Sequence, residues 1–189
     1  MNILNQVKQR RSHFRKEFTG EKISQEEINY LLECSIHAPS HKNTFPWRYI
    51  VFSGESLNDF SKKIIEIYKQ RTAVEMQNPE QIDNFEKLPS QVSHLIAIVM
   101  KRDEAKRVPE IEEICSVACS VQNMYLGLND LEDIGGFWST GMFCFTEQMH
   151  AYLELGSEDK CLGYFILGKV NQKRQQAPRP DFSTFVQYK

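Results

Sequence analysis

The chain has 189 residues, 41% of them hydrophobic and 25% charged, with a formal net charge of −2. That suits one domain spanning 1–189 and burying roughly 70% of its unfolded surface. The balance of charge provides no field to draw in nucleic acid or an anionic membrane. Cys34, Cys115, Cys119, Cys144 and Cys161 are odd in number and contain no CxxC, so reduced thiols and a cytoplasmic location are expected. No apolar run reaches the length of a signal peptide or the ~18 residues of a membrane span, so neither is expected.

Taken in order, residues 2–10 are a short helix candidate with Ile3, Leu4 and Val7 on one side. They run into Arg10-Arg11-Ser12-His13-Phe14-Arg15-Lys16, where guanidinium groups stand beside a hydroxyl. Such a run is usually a solvated face, but it also suits a phosphate. Ser24 and Glu27 form a capping box that opens a helix with Ile28, Leu31, Leu32 and Ile36 at helical spacing. The helix ends by Pro39, which lacks a donor and biases its predecessor away from helix.

A polar loop with Ser40, His41, Lys42 and Asn43 follows, then Pro46-Trp47 and the run Arg48–Phe52. That run reads as a buried strand. A loop pinned at both ends holds polar groups still and is a candidate for function. After Gly54, Leu57, Phe60, Ile64 and Ile67 mark an amphipathic helix. Residues 72–91, mostly polar with Pro79 and Pro89, read as a mobile excursion or a short helix over something else, a lid at most.

Leu95–Met100 is a continuous apolar run, placed centrally in a sheet. Pro109 and three glutamates begin a helix that is apolar nearly all round from Val117 to Leu128. In Ile134–Gly141 three glycines let the backbone approach something closely. A short helix over 146–155 and a last strand over 162–170 precede a tail, 171–189. It carries Lys173, Arg174 and the apolar Phe182, Phe185 and Val186.

Three pieces therefore stand in order: Arg10-Arg11-Ser12; Ala38-Pro39-Ser40-His41-Lys42-Asn43-Thr44-Phe45-Pro46-Trp47; and Gly135-Gly136-Phe137-Trp138-Ser139-Thr140-Gly141 ahead of the last strand. As an ordered set they resemble the nitroreductase family of FMN-dependent oxidoreductases, in particular its short single-domain members. The likeness covers nearly the whole chain. It implies an α+β fold with a central mixed or antiparallel sheet flanked by helices. It also implies an intertwined homodimer whose C-terminal tails dock on the partner and whose FMN sites lie at the interface.

Carried over by position, Arg10 or Arg11 with Ser12 would bind the FMN phosphate, helped by Lys173 or Arg174. Pro39, Ser40, His41 and Asn43 match the loop that reaches the partner subunit's flavin. Trp138, Ser139 and Thr140 match the segment facing the isoalloxazine ring. His37 stands where short relatives place a cofactor contact, often an arginine. Two departures stand out: Phe45 replaces the glutamine many members carry before Pro-Trp, and the basic segment has an extra residue between Ser12 and Arg15.

The activity the resemblance implies is hydride transfer from NADH or NADPH through FMN to a nitroaromatic, quinone or similar small-molecule acceptor, by a ping-pong mechanism. The flavin carries the hydride, so no catalytic side chain and no metal is implied. The absence of GxSxG, HExxH and GxGxxG agrees. One alternative is a flavin-binding protein of the same fold without turnover, a sensor or store, or one acting on an unrelated substrate. Another is a nucleic-acid binder using residues 10–16, which a net charge of −2 does little to support.

Overall fold

In the computed structural model, which describes residues 2–189, alternation of side chains across β-strands decides how the layers assemble. Helix α1 (Ile3–Gln9) is capped by Asn2, whose side chain accepts from the Asn5 N–H at 3.0 Å. Helix α2 (Gln25–Ile36) opens on the expected capping box: Glu27 N–H donates to Ser24 Oγ at 3.2 Å, and Ser24 N–H donates to Glu27 Oε2 at 2.8 Å. Strand β1 (Trp47–Ser53) and helix α3 (Gly54–Arg71) follow, then the short helices α4 (Pro79–Glu86) and α5 (Leu88–Gln91). Strand β2 (His94–Met100), helix α6 (Glu110–Gly127), strand β3 (Ile134–Ser139), helix α7 (Glu147–Tyr152) and strand β4 (Lys160–Lys169) complete the order.

The sheet runs β1-β2-β4-β3 with every pairing antiparallel, so of mixed and antiparallel only the second holds. Strand β2 is buried along its whole length, as its unbroken apolar run predicts. Ile96, Ile98 and Met100 join Ile28 and Leu31 of α2 and Val117, Val121 and Met124 of α6 in one core. Leu95 and Ala97 face the other way, onto Leu57, Phe60, Ile64 and Ile67 of α3. Helices thus cover both faces of the sheet.

Two expectations need correction. Strand β1 is an edge strand with Arg48 and Val51 exposed, not a buried one; a hydrophobic run shows strand character but not whether the second edge is covered. Helix α6 is not apolar all round: Cys115, Cys119 and Gln122 face solvent, while a stripe through Glu113, Ser116, Val117, Ser120, Val121 and Met124 is buried. The 72–91 excursion is anchored. Phe85 and Leu88 are buried against α3, Ser61 Oγ donates to the Phe85 carbonyl at 2.6 Å, and Asn78 N–H donates to Tyr68 Oη at 2.8 Å. No helix of the described residues is long and apolar enough to cross a membrane.

Candidate functional site

Strand β3 ends the sheet, so its outer edge offers backbone groups from every second residue. The chain's own basic segments cover that edge. The Ile134 carbonyl accepts from Lys173 Nζ, the Gly136 carbonyl accepts from His13 N–H at 3.1 Å, and Trp138 N–H donates to Tyr125 Oη at 2.7 Å. The same tyrosine oxygen lies 3.3 Å from Ser12 Oγ, and the Arg10 guanidinium sits 5.0 Å from the centre of its ring. The close approach permitted by the glycines is made internally: a methyl on Gly135 would lie 2.6 Å from His13 Cβ, and one on Gly136 2.7 Å from Leu167 Cδ2.

Beside this edge lies a cleft of about 520 Å³, whose walls include Arg11, His13, Tyr125, Asn129, Lys173 and Arg174. Its walls carry three cations, Arg11, Lys173 and Arg174, against one carboxylate, Glu132. Arg174 is committed, with Nε donating to Glu17 Oε1 at 2.7 Å and its guanidinium 5.0 Å from the Phe14 ring. Arg11 and Lys173 have no carboxylate partner among the described residues; Arg11 Nε donates to the Gln175 carbonyl at 3.0 Å, and Lys173 Nζ donates to the Leu128 carbonyl at 3.0 Å. Burial, then the neighbouring Arg179 and Arg10, hold the Arg11 pKa below its ordinary value. Burial pushes the Lys173 ammonium down to about 8, against the pull of Asp133.

His13, which sequence reasoning does not single out as a site residue, is buried in the wall of this cleft. Its Nε2 accepts the Arg174 N–H at 3.0 Å, so in the neutral ring the proton is on Nδ1. That Nδ1 has no partner among the described residues. Burial and then Lys173 lower the imidazole pKa, favouring the neutral form. A buried donor without an acceptor costs free energy, as do cations without counter-ions. Arg11 and Lys173 on the cleft wall suit an anion such as a phosphate monoester.

A second cleft of about 600 Å³ joins Arg15, Tyr68, Phe137, Ser139, Met142 and Phe143. Arg15 donates through one terminal nitrogen to the Asn84 carbonyl at 2.8 Å and Gln91 Oε1 at 2.6 Å; its buried Nε has no partner among the described residues. Burial lowers its pKa. Aromatic walls with a cation suit a planar, electron-accepting ring. Ser139 lines this cleft, whereas Trp138 is half-buried with its indole N–H donated to the Leu162 carbonyl at 2.9 Å, and Thr140 is exposed.

The remaining predicted residues lie elsewhere. His37 is exposed, with Nε2 3.3 Å from Glu33 Oε1. Pro39 is exposed; Ser40 Oγ accepts the Phe45 N–H at 2.9 Å, and His41 is paired with Glu112. Lys42, Asn43 and Phe45 adopt φ of 52°, 52° and 44°, so the loop is held in a sparsely populated backbone form. Its anchor, Glu112, stands thirteen residues before Tyr125 on α6. At 1.5 Å per residue that is about 20 Å. Arg10, Arg11, Ser12, Lys173 and Arg174 are brought together within one chain; the 39–43 loop is not brought to them. Residues 173–175 contact the basic start of their own chain and the neighbouring backbone, and Phe182, Phe185, Val186 and Tyr188 beyond them are exposed.

Comparison with known proteins identifies the family and the fold. The sequence model described as Nitroreductase family matches residues 7–169. YdjA of Escherichia coli K12, provisionally named an NAD(P)H nitroreductase, is 26% identical over 164 residues, covering 86% of this chain and 87% of that one. YfhC of Bacillus subtilis, with the same provisional name, is 24% identical over 84% of this chain and 80% of its own. A nitroreductase-like protein from Bacillus cereus superposes with a TM-score of 0.85 at 18% identity, over 100% of this chain and 96% of that one. A provisionally assigned nitroreductase of Desulfovibrio desulfuricans, solved in complex with FMN, superposes with a TM-score of 0.73 at 20% identity, over 100% and 98%.

Proposed function

Since this chain belongs to the nitroreductase family, we propose that it is an FMN-dependent oxidoreductase. It takes hydride from NADH or NADPH and delivers it, in a second half-reaction, to a nitroaromatic, quinone or similar small acceptor. The observation that carries this reading is the cleft whose walls bring together Arg11 and Lys173, neither of them in an ion pair among the described residues. Those groups match the phosphate of FMN, the ligand with which the Desulfovibrio desulfuricans protein was solved. Bound FMN supplies the hydride chemistry. The chain's residues would bind and tune it: Arg10, Arg11, Ser12 and Lys173 would hold the phosphate, the Trp138–Thr140 segment would serve the ring, and Arg15 would offer it a fixed cation.

FMN titration tests this directly. Arg11→Ala and Lys173→Met are each expected to weaken FMN about ten- to a hundredfold, since a hydrogen bond to a charged group contributes roughly 1.5–3 kcal/mol. The pH dependence identifies the lysine. Its folded pKa is about 8, so it is a cation below that pH and loses its proton above it. A phosphate is dianionic above its second pKa of about 6. Affinity is therefore greatest between about pH 6 and 8 and falls as pH rises further, and Lys173→Arg removes the alkaline fall. If both single variants bind FMN like the parent, the cleft is not the phosphate site.

We further infer a homodimer with shared sites. The 39–43 loop sits about 20 Å along α6 from Tyr125, too far to serve the same ring within one chain, so a second subunit must bring it. The tail supports the same reading: Phe182 and Phe185 are 67% and 74% exposed, and leaving each such side chain in water forgoes roughly 1.5–3 kcal/mol. Removing residues 177–189, which leaves Gln175 and its contact with Arg11 in place, is expected to yield a weaker dimer with less bound FMN. Light scattering and flavin content decide it; a stable, yellow, active monomer sinks the shared site.

A further inference from the structure

Away from the two clefts, Cys144 and Cys161 stand apart from the other thiols. Both are buried, and both line a third cleft of about 390 Å³ together with Glu147, His150, Asp159 and Leu162. Cys144 belongs to the turn that follows Ser139, and its Sγ donates to the Thr140 carbonyl at 2.8 Å. Cys161 opens β4, with Sγ 3.7 Å from the Gly163 carbonyl. In contrast, Cys115 and Cys119 are exposed on α6.

Each sulfur is the foremost influence on the other's protonation. The interaction with Cys161, then burial, pushes the Cys144 thiol up. The interaction with Cys144 brings Cys161 down, against burial. Cys144 holds its proton in the 2.8 Å bond to the Thr140 carbonyl, whereas the Cys161 contact with the Gly163 carbonyl is long at 3.7 Å, so Cys161 is the first to react.

We propose that Cys144 and Cys161 are a redox-active dithiol, converted to an intramolecular disulfide by a peroxide entering through the cleft they line. The Cys161 thiolate attacks one oxygen of the peroxide, breaking the O–O bond. The sulfur becomes a sulfenic acid, and the second oxygen leaves as hydroxide, taking the Cys144 proton to form water. The Cys144 thiolate then attacks the Cys161 sulfur. The S–O bond breaks, hydroxide leaves and is protonated, and the disulfide forms. Two thiols lose two hydrogens while one hydrogen peroxide becomes two waters. The disulfide removes the S–H donor from the Thr140 carbonyl, so oxidation bears on the turn that follows Ser139. This inference does not depend on flavin binding.

The test uses the full chain carrying Cys34→Ser, Cys115→Ala and Cys119→Ala, treated with hydrogen peroxide and compared with the unsubstituted chain by peptide mapping. The expected result is a mass loss of two hydrogens, a 144–161 linked peptide in both proteins, and reversal by dithiothreitol. Adding Cys144→Ala should halt the reaction at a sulfenic acid on Cys161 that dimedone captures. Adding Cys161→Ala should abolish the rapid reaction. Two free thiols after treatment, in a chain whose circular dichroism is unchanged, overturn the proposal. So does capture of the sulfenic acid on Cys144 instead.

Discussion

Glu113→Ala is expected to cost about 3–5 kcal/mol of folding stability, because it leaves a buried guanidinium without its counter-charge. The Glu113 side chain is fully buried and that of Arg102 is 12% exposed. Arg102 pairs with Glu113 Oε2, and Asp103 N–H donates to Glu113 Oε1 at 3.0 Å, so the carboxylate joins the chain leaving β2 to the first turn of α6. Arg102 also donates to the Val108 carbonyl at 2.9 Å, a neutral acceptor that cannot replace the lost charge. For a chain of this size the loss corresponds to a fall in Tm of about 6–20 °C. Exchanging both partners for apolar residues, Arg102→Met with Glu113→Met, should recover much of it, since the stranded charge disappears. Glu158→Ala, which removes an exposed partner of Lys106, should change stability by less than about 1 kcal/mol. Thermal melts of these proteins decide the matter; a Glu113→Ala melt within a degree or two of the parent contradicts the account.

Gly163→Ala should destabilise by about 2–6 kcal/mol, from two sources that act together. Gly163 has φ +113°, a conformation costing a residue with a Cβ about 1–3 kcal/mol. The added methyl would also lie 2.4 Å from the Ser139 carbonyl oxygen and 2.9 Å from Trp138 Nε1, and overpacking of this kind costs about 1–3 kcal/mol. The carbonyl is backbone, so relief requires β3 to move away from β4. That movement would shift Ser139, which lines the second cleft, and the effect should therefore extend from stability to ligand binding. Gly54→Ala separates the two sources: φ is +52° there, but nothing lies within 4 Å of the added methyl. It should cost about 1–2 kcal/mol. Equal losses at the two positions in chemical denaturation refute the crowding argument.

Much of the fold was legible because its signals are local. The Ser24–Glu27 box, the spacing of Leu57, Phe60, Ile64 and Ile67, and the unbroken run Leu95–Met100 each depend on neighbours within one turn or one strand. The ordered set of basic start, polar loop and glycine-rich segment pointed to the family before any contact was known, and residues 7–169 match it. Arg11, Ser12 and Lys173 were named from that set, and the fold does gather them at one edge.

Tertiary structure alone decided the rest, because the information is non-local. Tyr125 sits on a helix whose pattern says only that it is buried; its role as the link between Ser12 and the Trp138 N–H depends on residues 113 and 13 positions away. His13 and Arg15 read as members of a solvated basic run. Only the packing of β3 and of α4 and α5 buries their nitrogens and leaves one on each without a partner. The same composition of strand makes β2 central and β1 an edge, since hydrophobicity reports burial of side chains and not the pairing of the backbone. Sequence by itself thus determined the local elements and the family, whereas the separation of the 39–43 loop from the phosphate cleft had to come from structure. That separation arises because a rigid helix, α6, carries one anchor near each end, and the distance between them is set by helical rise rather than by any residue in either motif.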